Sequence, residues 1–286
     1  MLIRRSLPLR RAPADTDRAR WLRAQVESLA VPRHATWEAY ANRSIADRLA
    51  RAFEDAGLRT FFQGPDRNVV GLPRSSGPVT LVGAHYDSVP DTPGADDNAS
   101  ALAVLLSIVE RRLPGVGFIA FNREEDGLVG SRSFVAWLET SGLDIADVHI
   151  LEMVGYTDPR PGAQRLPAAI PGFLAPTDRG DFLGVVGLGC GHRLADRVRR
   201  VADGALGVPP VISLQTPLMC VHVAPDLGLS DHLPFVQMGR SAVMWTDTAY
   251  LRTPHYHQLS DTPETLDYAF MAEVETLLAR VLETGV

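Results

Sequence analysis

Three stretches of this chain are short and almost wholly apolar, and each leads into, or carries, residues that donate to metals or move protons. Val79-Thr80-Leu81-Val82 runs into His85 and Asp87, Val116 to Asn122 runs into Glu124, Glu125 and Asp126, and Val148 to Val154 carries Glu152. A strand that is apolar on both faces must be covered on both faces. Such strands alternate here with helical patterns, so the fold expected is a mostly parallel sheet with helices packed on either side. In sheets of this kind ligands bind beyond the carboxyl ends of the strands.

The rest of the chain fits the same plan. Ala14 to Ala30 reads as a helix with Trp21, Leu22, Val26 and Leu29 on one stripe, stopped by Pro32. A second helix is expected from an N-cap at Thr36 to about Ala56, closed by Gly57. Leu58 to Gln63 and Asn68 to Leu72 read as strands around a Gly64-Pro65-Asp66 turn. Helices are expected over Ser100 to Arg112, Leu128 to Glu139, His192 to Ala205 and Pro263 to Leu282. Further strands are expected over Asp181 to Leu188, Val211 to Leu214 and Ser241 to Thr246. Tyr156 to Pro176 and Thr216 to Leu229 have no clear period and read as irregular, the first as a long surface loop. No linker or repeat divides the chain. One domain is expected over 1–286, with N-terminal helices in 1–56 and the α/β core in 58–283.

Lys plus Arg is 28 and Asp plus Glu is 34, a net charge of −6. The arginines are scattered, with no basic face carrying interleaved aromatics, so nucleic acid is not an expected partner. Nor is a membrane, since no run approaches the ~20 apolar residues of a span. Arg4-Arg5 and Arg10-Arg11 hint at an export signal, but Pro8 and Pro13 interrupt the apolar segment it requires, so a cytoplasmic location is expected. Cys190 and Cys220 are too far apart for a C-x-x-C motif and too few for a disulfide framework. Two free buried thiols are expected, with a single bridge left open.

Four segments offer metal ligands: His85 with Asp96, Glu124-Glu125, Glu152, and His257. Imidazole and carboxylate are the donors catalytic zinc favours. Adjacent glutamates have diverging side chains, so one can bind metal while the other stays free as a base. Each residue also has a plainer reading. Asp96 and Asp97 suit a helix cap, His85 suits a core histidine satisfied by Asp87, and Glu124-Glu125-Asp126 suits a solvated turn. Glu152 between Leu151 and Met153 is harder to dismiss, because a lone buried carboxylate is costly. Tyr256-His257 followed by Ser260-Asp261-Thr262 favours His257 over His255. His34, His149, His192 and His222 have no ligand-spaced partner. Tyr156, Phe173 and Met219 are candidates for a substrate pocket, with loop packing as the alternative.

The ordered set G-A-H-Y-D-S-V…P-G-A-D-D-N-A-S, N-R-E-E-D-G-L-V-G-S, I-L-E-M-V-G, S-D-H-L-P-F and Y-H-Q-L-S-D-T, spanning Val79 to Asp261, resembles the co-catalytic zinc aminopeptidase family, which also contains glutaminyl cyclases and glutamate carboxypeptidases. The resemblance implies a three-layer α/β/α sandwich around a mixed, mostly parallel sheet. It implies two zinc ions bridged by Asp96, with His85 and Glu152 completing one site and Glu125 and His257 the other. Glu124 would be the general base, drawing a proton from a water held by the metal. Asp87 would orient His85 from behind, and the Asp96–Asp97 bond would be the cis peptide found in the family. Asp231 and His232 would lie beside the substrate pocket, with His232 hydrogen-bonding rather than binding metal. One departure stands out: the family usually has aspartate where this chain has Glu152. A single zinc is the alternative this raises, as in the cyclases. The expected activity is hydrolysis of N-terminal peptide bonds. The alternatives are a cyclase-like acyl transfer and a non-catalytic binding domain, and the retention of Glu124 speaks against the last.

Overall fold

The structure, a computed structural model, describes residues 1–6, 16–165 and 177–284. Ala14, where the first helix is expected to begin, and Phe173 lie outside the described residues, as does the stretch 166–176 of the expected loop. Strands are β1 (Leu2–Arg5), β2 (Arg59–Gln63), β3 (Asn68–Leu72), β4 (Val79–His85), β5 (Val116–Phe121), β6 (Ile145–Glu152), β7 (Leu183–Leu188), β8 (Val211–Thr216) and β9 (Ala242–Thr246). Helices are α1 (Asp17–Leu29), α2 (Ala39–Asp55), α3 (Ala101–Glu110), α4 (Val129–Ser141), α5 (His192–Ala202), α6 (His232–Gln237) and α7 (Tyr268–Glu283).

The nine strands form one mixed sheet in the order β1-β8-β7-β9-β6-β4-β5-β3-β2. Its centre, β9-β6-β4-β5, is parallel throughout. The flanks add antiparallel pairings, β7 against β9 on one side and β3 against β5 on the other. Side-chain alternation sends each central strand into two cores. On β4, Val82 and Ala84 join the core under α1, α2, α3, α5 and α7, while Val79 and Leu81 join the core under α4 and α6. This accounts for the unbroken apolar runs: β5 is buried at every position.

The chain leaves β4 for β5 on one side and then crosses back to β6 on the other. That reversal opens a crevice beyond the carboxyl ends of these strands, where His85, Glu124, Glu125 and Glu152 emerge.

Several local expectations change. β1, a four-residue edge strand on β8, and α6, of six residues, are too short to show a period. Thr36 does not cap α2. Instead the His34 Nδ1 accepts the Thr36 and Trp37 N–H groups at 3.1 and 3.3 Å, and the helix starts at Ala39. Pro263–Thr265 is a separate 3-10 turn, and α7 begins after Asp267, whose carboxylate accepts the Phe270 N–H at 3.0 Å. Cys190 and Cys220 are unbridged as expected but not buried, Cys190 being exposed and Cys220 half-buried. Among the described residues no helix is long and apolar enough to cross a membrane.

Candidate metal centre

β4 ends on His85, which is 1% exposed. Its Nδ1 faces the Asp87 carbonyl at 3.2 Å and carboxylate at 3.5 Å, so its Nε2 is turned the other way, toward Asp97 Oδ1 at 3.2 Å and Glu152 Oε1 at 3.4 Å. On the far side of Asp97, His257 Nε2 lies 3.2 Å from Asp97 Oδ2 and 3.4 Å from Glu125 Oε2. Asp97 therefore stands between two histidines and gives one oxygen to each. Glu152 accompanies the first and Glu125 the second.

The expected place of Asp96 is corrected by this arrangement: the carboxylate among the histidines is that of Asp97. Asp96 turns away, and its Oδ1 accepts the Gly155 N–H at 2.9 Å. Burial, followed by the neighbouring Asp247 and Asp261 carboxylates, raises the Asp96 pKa well above the usual carboxylate range, which suits a neutral group packed behind the site. The cis peptide is likewise Asp97–Asn98 rather than Asp96–Asp97. Two adjacent aspartates in an irregular turn give no periodicity from which to choose between them.

The supporting contacts are made by residues that spacing did not single out for these tasks. Asp87, fully buried, accepts the Glu124 and Glu125 N–H groups at 3.2 Å each, so one carboxylate fixes the turn after β5 as well as facing His85. Ser230 donates to Glu152 Oε2 at 2.7 Å. Asp261 accepts the Asp96 and Asp97 N–H groups at 2.8 and 3.1 Å. Each is a short polar residue within a quoted motif, but what it holds is set by tertiary contact.

Buried carboxylates and imidazoles crowd one another at this site. Burial, then the Asp97 carboxylate, pushes Glu125 up to about 7. Burial is also the main reason that Glu124 is raised. For His257 burial acts against the charged form, but Asp97 and Glu125 outweigh it and hold the imidazole at about 10. Glu125 Oε1 is buried without a hydrogen-bond partner.

The donor set also fits zinc in size. Zinc–nitrogen and zinc–oxygen bonds of about 2.0–2.1 Å in a tetrahedron set neighbouring donors roughly 3.3–3.4 Å apart. The four contacts that the His85 and His257 Nε2 atoms make with Asp97, Glu152 and Glu125 measure 3.2–3.4 Å. Glu152 reaches this position despite its extra methylene, because it is the last residue of β6 and Ser230 steadies its second oxygen.

Beside Glu152 lies a cavity of about 140 Å³ walled by Phe182, Val186, Ile212, Leu214, Met244 and Tyr256. Asp231 and His232 do not line it; their neighbours Leu227 and Leu229 do. Both are fully buried at the start of α6, where His232 Nε2 meets the Leu227 carbonyl at 3.0 Å. Of the other expected pocket residues, Tyr156 is not in the wall, and Met219 is 71% exposed on the surface. His255 meets Ser260 Oγ at 2.9 Å and takes no part in the cluster.

Comparison with known proteins agrees with this architecture. Residues 68–173 match the model of peptidase family M28. YfbL of Escherichia coli, itself described as uncharacterized, is 36% identical over 259 residues, covering 82% of this chain and 77% of its own. Aminopeptidase YwaD of Bacillus subtilis is 37% identical over 108 residues, covering 34% of this chain and 24% of its own. Among solved structures, a glutaminyl cyclase of Bacteroides thetaiotaomicron superposes with a TM-score of 0.66 at 15% identity, over 97% of this chain and 100% of its own, a likeness of fold. With the ordered motifs, the crevice at the strand ends and these matches in agreement, the chain belongs to peptidase family M28.

Proposed function

We propose that the chain is a metal-dependent aminopeptidase that removes bulky apolar residues from peptide N-termini. Two zinc ions would be held by His85, Asp97 and Glu152 on one side and by Asp97, Glu125 and His257 on the other. The observation that carries this reading is the Asp97 carboxylate, whose two oxygens face different histidines at the same 3.2 Å. When bound, such a pair of metals polarises the scissile carbonyl and lowers the pKa of water.

The protein's own part follows from its geometry. Glu124 sits next to the ligand Glu125, and Asp87 anchors both backbone N–H groups. Among the described residues no group donates a hydrogen bond to its carboxylate, so it is free to take a proton from the attacking water and deliver it to the departing amine. The cavity adjoining Glu152 accepts the first side chain, and its aliphatic and aromatic walls favour leucine-like or phenylalanine-like groups. The acidic lining of the centre favours the free α-amine of that residue over a blocked one. The activity printed in the name of YwaD supports the same reading.

The test uses zinc-loaded protein and a panel of aminoacyl reporters with free and acetylated amines. Release from leucyl and phenylalanyl reporters, little from glycyl or aspartyl ones and none from acetylated ones is expected. Glu124→Gln should keep the metal and abolish turnover. Equal cleavage of acetylated substrates would refute the aminopeptidase reading, and ammonia release from N-terminal glutamine without hydrolysis would make the protein a cyclase.

A further inference from the structure

The turn that presents Asp97 is gripped from both sides by residues distant in sequence. On one side is Arg33, in the connection between α1 and α2, outside the stretch that matches the family model. It is 0% exposed, and among the described residues no carboxylate oxygen closes an ion pair with it. Among the described residues its guanidinium donates only to backbone carbonyl oxygens: Nε to Tyr86 at 2.8 Å, Nη1 to Leu29, Val31 and Pro93 at 3.3, 3.1 and 2.6 Å, and Nη2 to Gly94 and Asp97 at 2.9 and 3.4 Å. The turn closes tightly on it. Gly94 has φ +58, and a Cβ there would lie 2.3 Å from the Asp97 carbonyl oxygen and 3.1 Å from both Nη atoms. On the other side Asp261 takes the N–H groups of Asp96 and Asp97, and its carbonyl takes that of Ala95 at 3.2 Å.

A buried cation that closes no ion pair among the described residues, and meets the Asp97, Asp261, Asp87 and Glu125 carboxylates only through their field, is an expensive way to fill space, since apolar side chains of similar volume stabilise a core as well or better. It is too deeply buried to meet a substrate. What it provides is five N–H donors in a rigid plane, which fix the carbonyls of the Pro93–Asp97 turn relative to Tyr86, the residue after His85. Asp261 fixes the amides of the same turn relative to the loop that carries His257. The three groups meeting at the centre, His85, Asp97 and His257, are thus registered to one another through this pair.

We propose that Arg33 and Asp261 are positioning residues that set the Asp97 carboxylate between His85 and His257, so that metal affinity depends on two side chains that do not touch the metal. This rests on the metal-dependent reading above. Residues that orient ligands from behind typically change metal affinity by about 10–100-fold when altered.

The test is the zinc dissociation constant of the full chain by chelator competition, with thermal midpoints measured alongside. Arg33→Lys keeps the charge but offers three donors from one point, and should weaken zinc binding about tenfold or more. Asp261→Asn keeps one acceptor oxygen and should weaken it by a similar or smaller factor. Arg111→Lys, at an arginine just after the C-terminus of α3 that pairs with Glu275 of α7, is the control and should leave the constant unchanged. Folded Arg33→Lys and Asp261→Asn variants with lower midpoints but wild-type zinc affinity would reduce the pair to structural props and overturn the proposal. Should Arg33→Lys fail to fold, Asp261→Asn decides alone. Wild-type protein that binds no zinc would overturn the metal reading, and this inference with it.

Discussion

Replacing Ser230 by alanine isolates one half of the metal centre. Ser230 Oγ donates to Glu152 Oε2 at 2.7 Å, and both residues are buried. The substitution removes one hydroxyl and leaves almost no void, so the loss is that of the hydrogen bond itself. A hydrogen bond to a charged group contributes about 1.5–3 kcal/mol. At about 1.4 kcal/mol per factor of ten, this sets a ceiling of roughly 10–100-fold on the loss of affinity. In the two-ion arrangement proposed above, the whole of it should fall on the ion beside His85. Among the described residues Glu125 and His257, which would hold the second ion, make no hydrogen bond to Ser230, so that ion should bind as before. Stepwise zinc titration against a chelator, with ions per chain counted by atomic emission, would show the weaker step moving while the other stays. Equal weakening of both steps, or of neither, would refute the assignment of Glu152 to a site of its own.

Asp97→Asn should lose at least one ion per chain. Asp96→Asn should retain both, because its remaining oxygen can still accept the Gly155 N–H; metal content of the purified variants checks the pair. Val186→Phe should fill the cavity beside Glu152 and lower kcat/KM for leucyl relative to alanyl reporters by about tenfold or more, as the loss of an apolar pocket of this kind implies. The fourth prediction concerns pH and stability. Burial, with a smaller contribution from Arg197, pushes His149 down to about 3, and the Trp245 indole N–H donates to its Nδ1 at 3.2 Å. The folded protein holds this imidazole neutral while the unfolded chain protonates it near pH 6.5, so its contribution to stability is full above that pH and is lost as pH falls toward about 3. In urea unfolding, His149→Phe should therefore gain on wild type by about 1.4 kcal/mol per pH unit below 6.5. A gap that stays constant between pH 6.5 and 4.5 would disprove it.

What could be read from the chain was what periodicity and chemistry record locally. β4, β5 and β6 were legible because burial on both faces leaves an unbroken apolar run, and the charged residues at their ends stand out against it. What escaped was decided by tertiary contact. Nothing in Asp96-Asp97 says which carboxylate turns toward the histidines; that depends on Arg33 and Asp261, far away along the chain. α2 takes no side-chain cap at all: the turn before it closes on the His34 imidazole, and the helix starts three residues beyond the expected threonine. The apolar cavity draws its walls from β7, β8, β9 and the loops near them, so no single stretch of sequence outlines it. Asp231 and His232 share a motif with Ser230, and all three are buried, yet of the three only the serine hydrogen-bonds to Glu152, while Asp231 acts on the cluster through its charge alone.

The last strand of the sheet is not at its edge. β9 lies between β6 and β7, pairing in parallel with one and antiparallel with the other. Until residues 242–246 have been made, the strands that flank them, β6 and β7, lack that neighbour, and His257 follows only a few residues later. An unpaired strand edge in the middle of what will be the sheet is the kind of surface that chaperones shield.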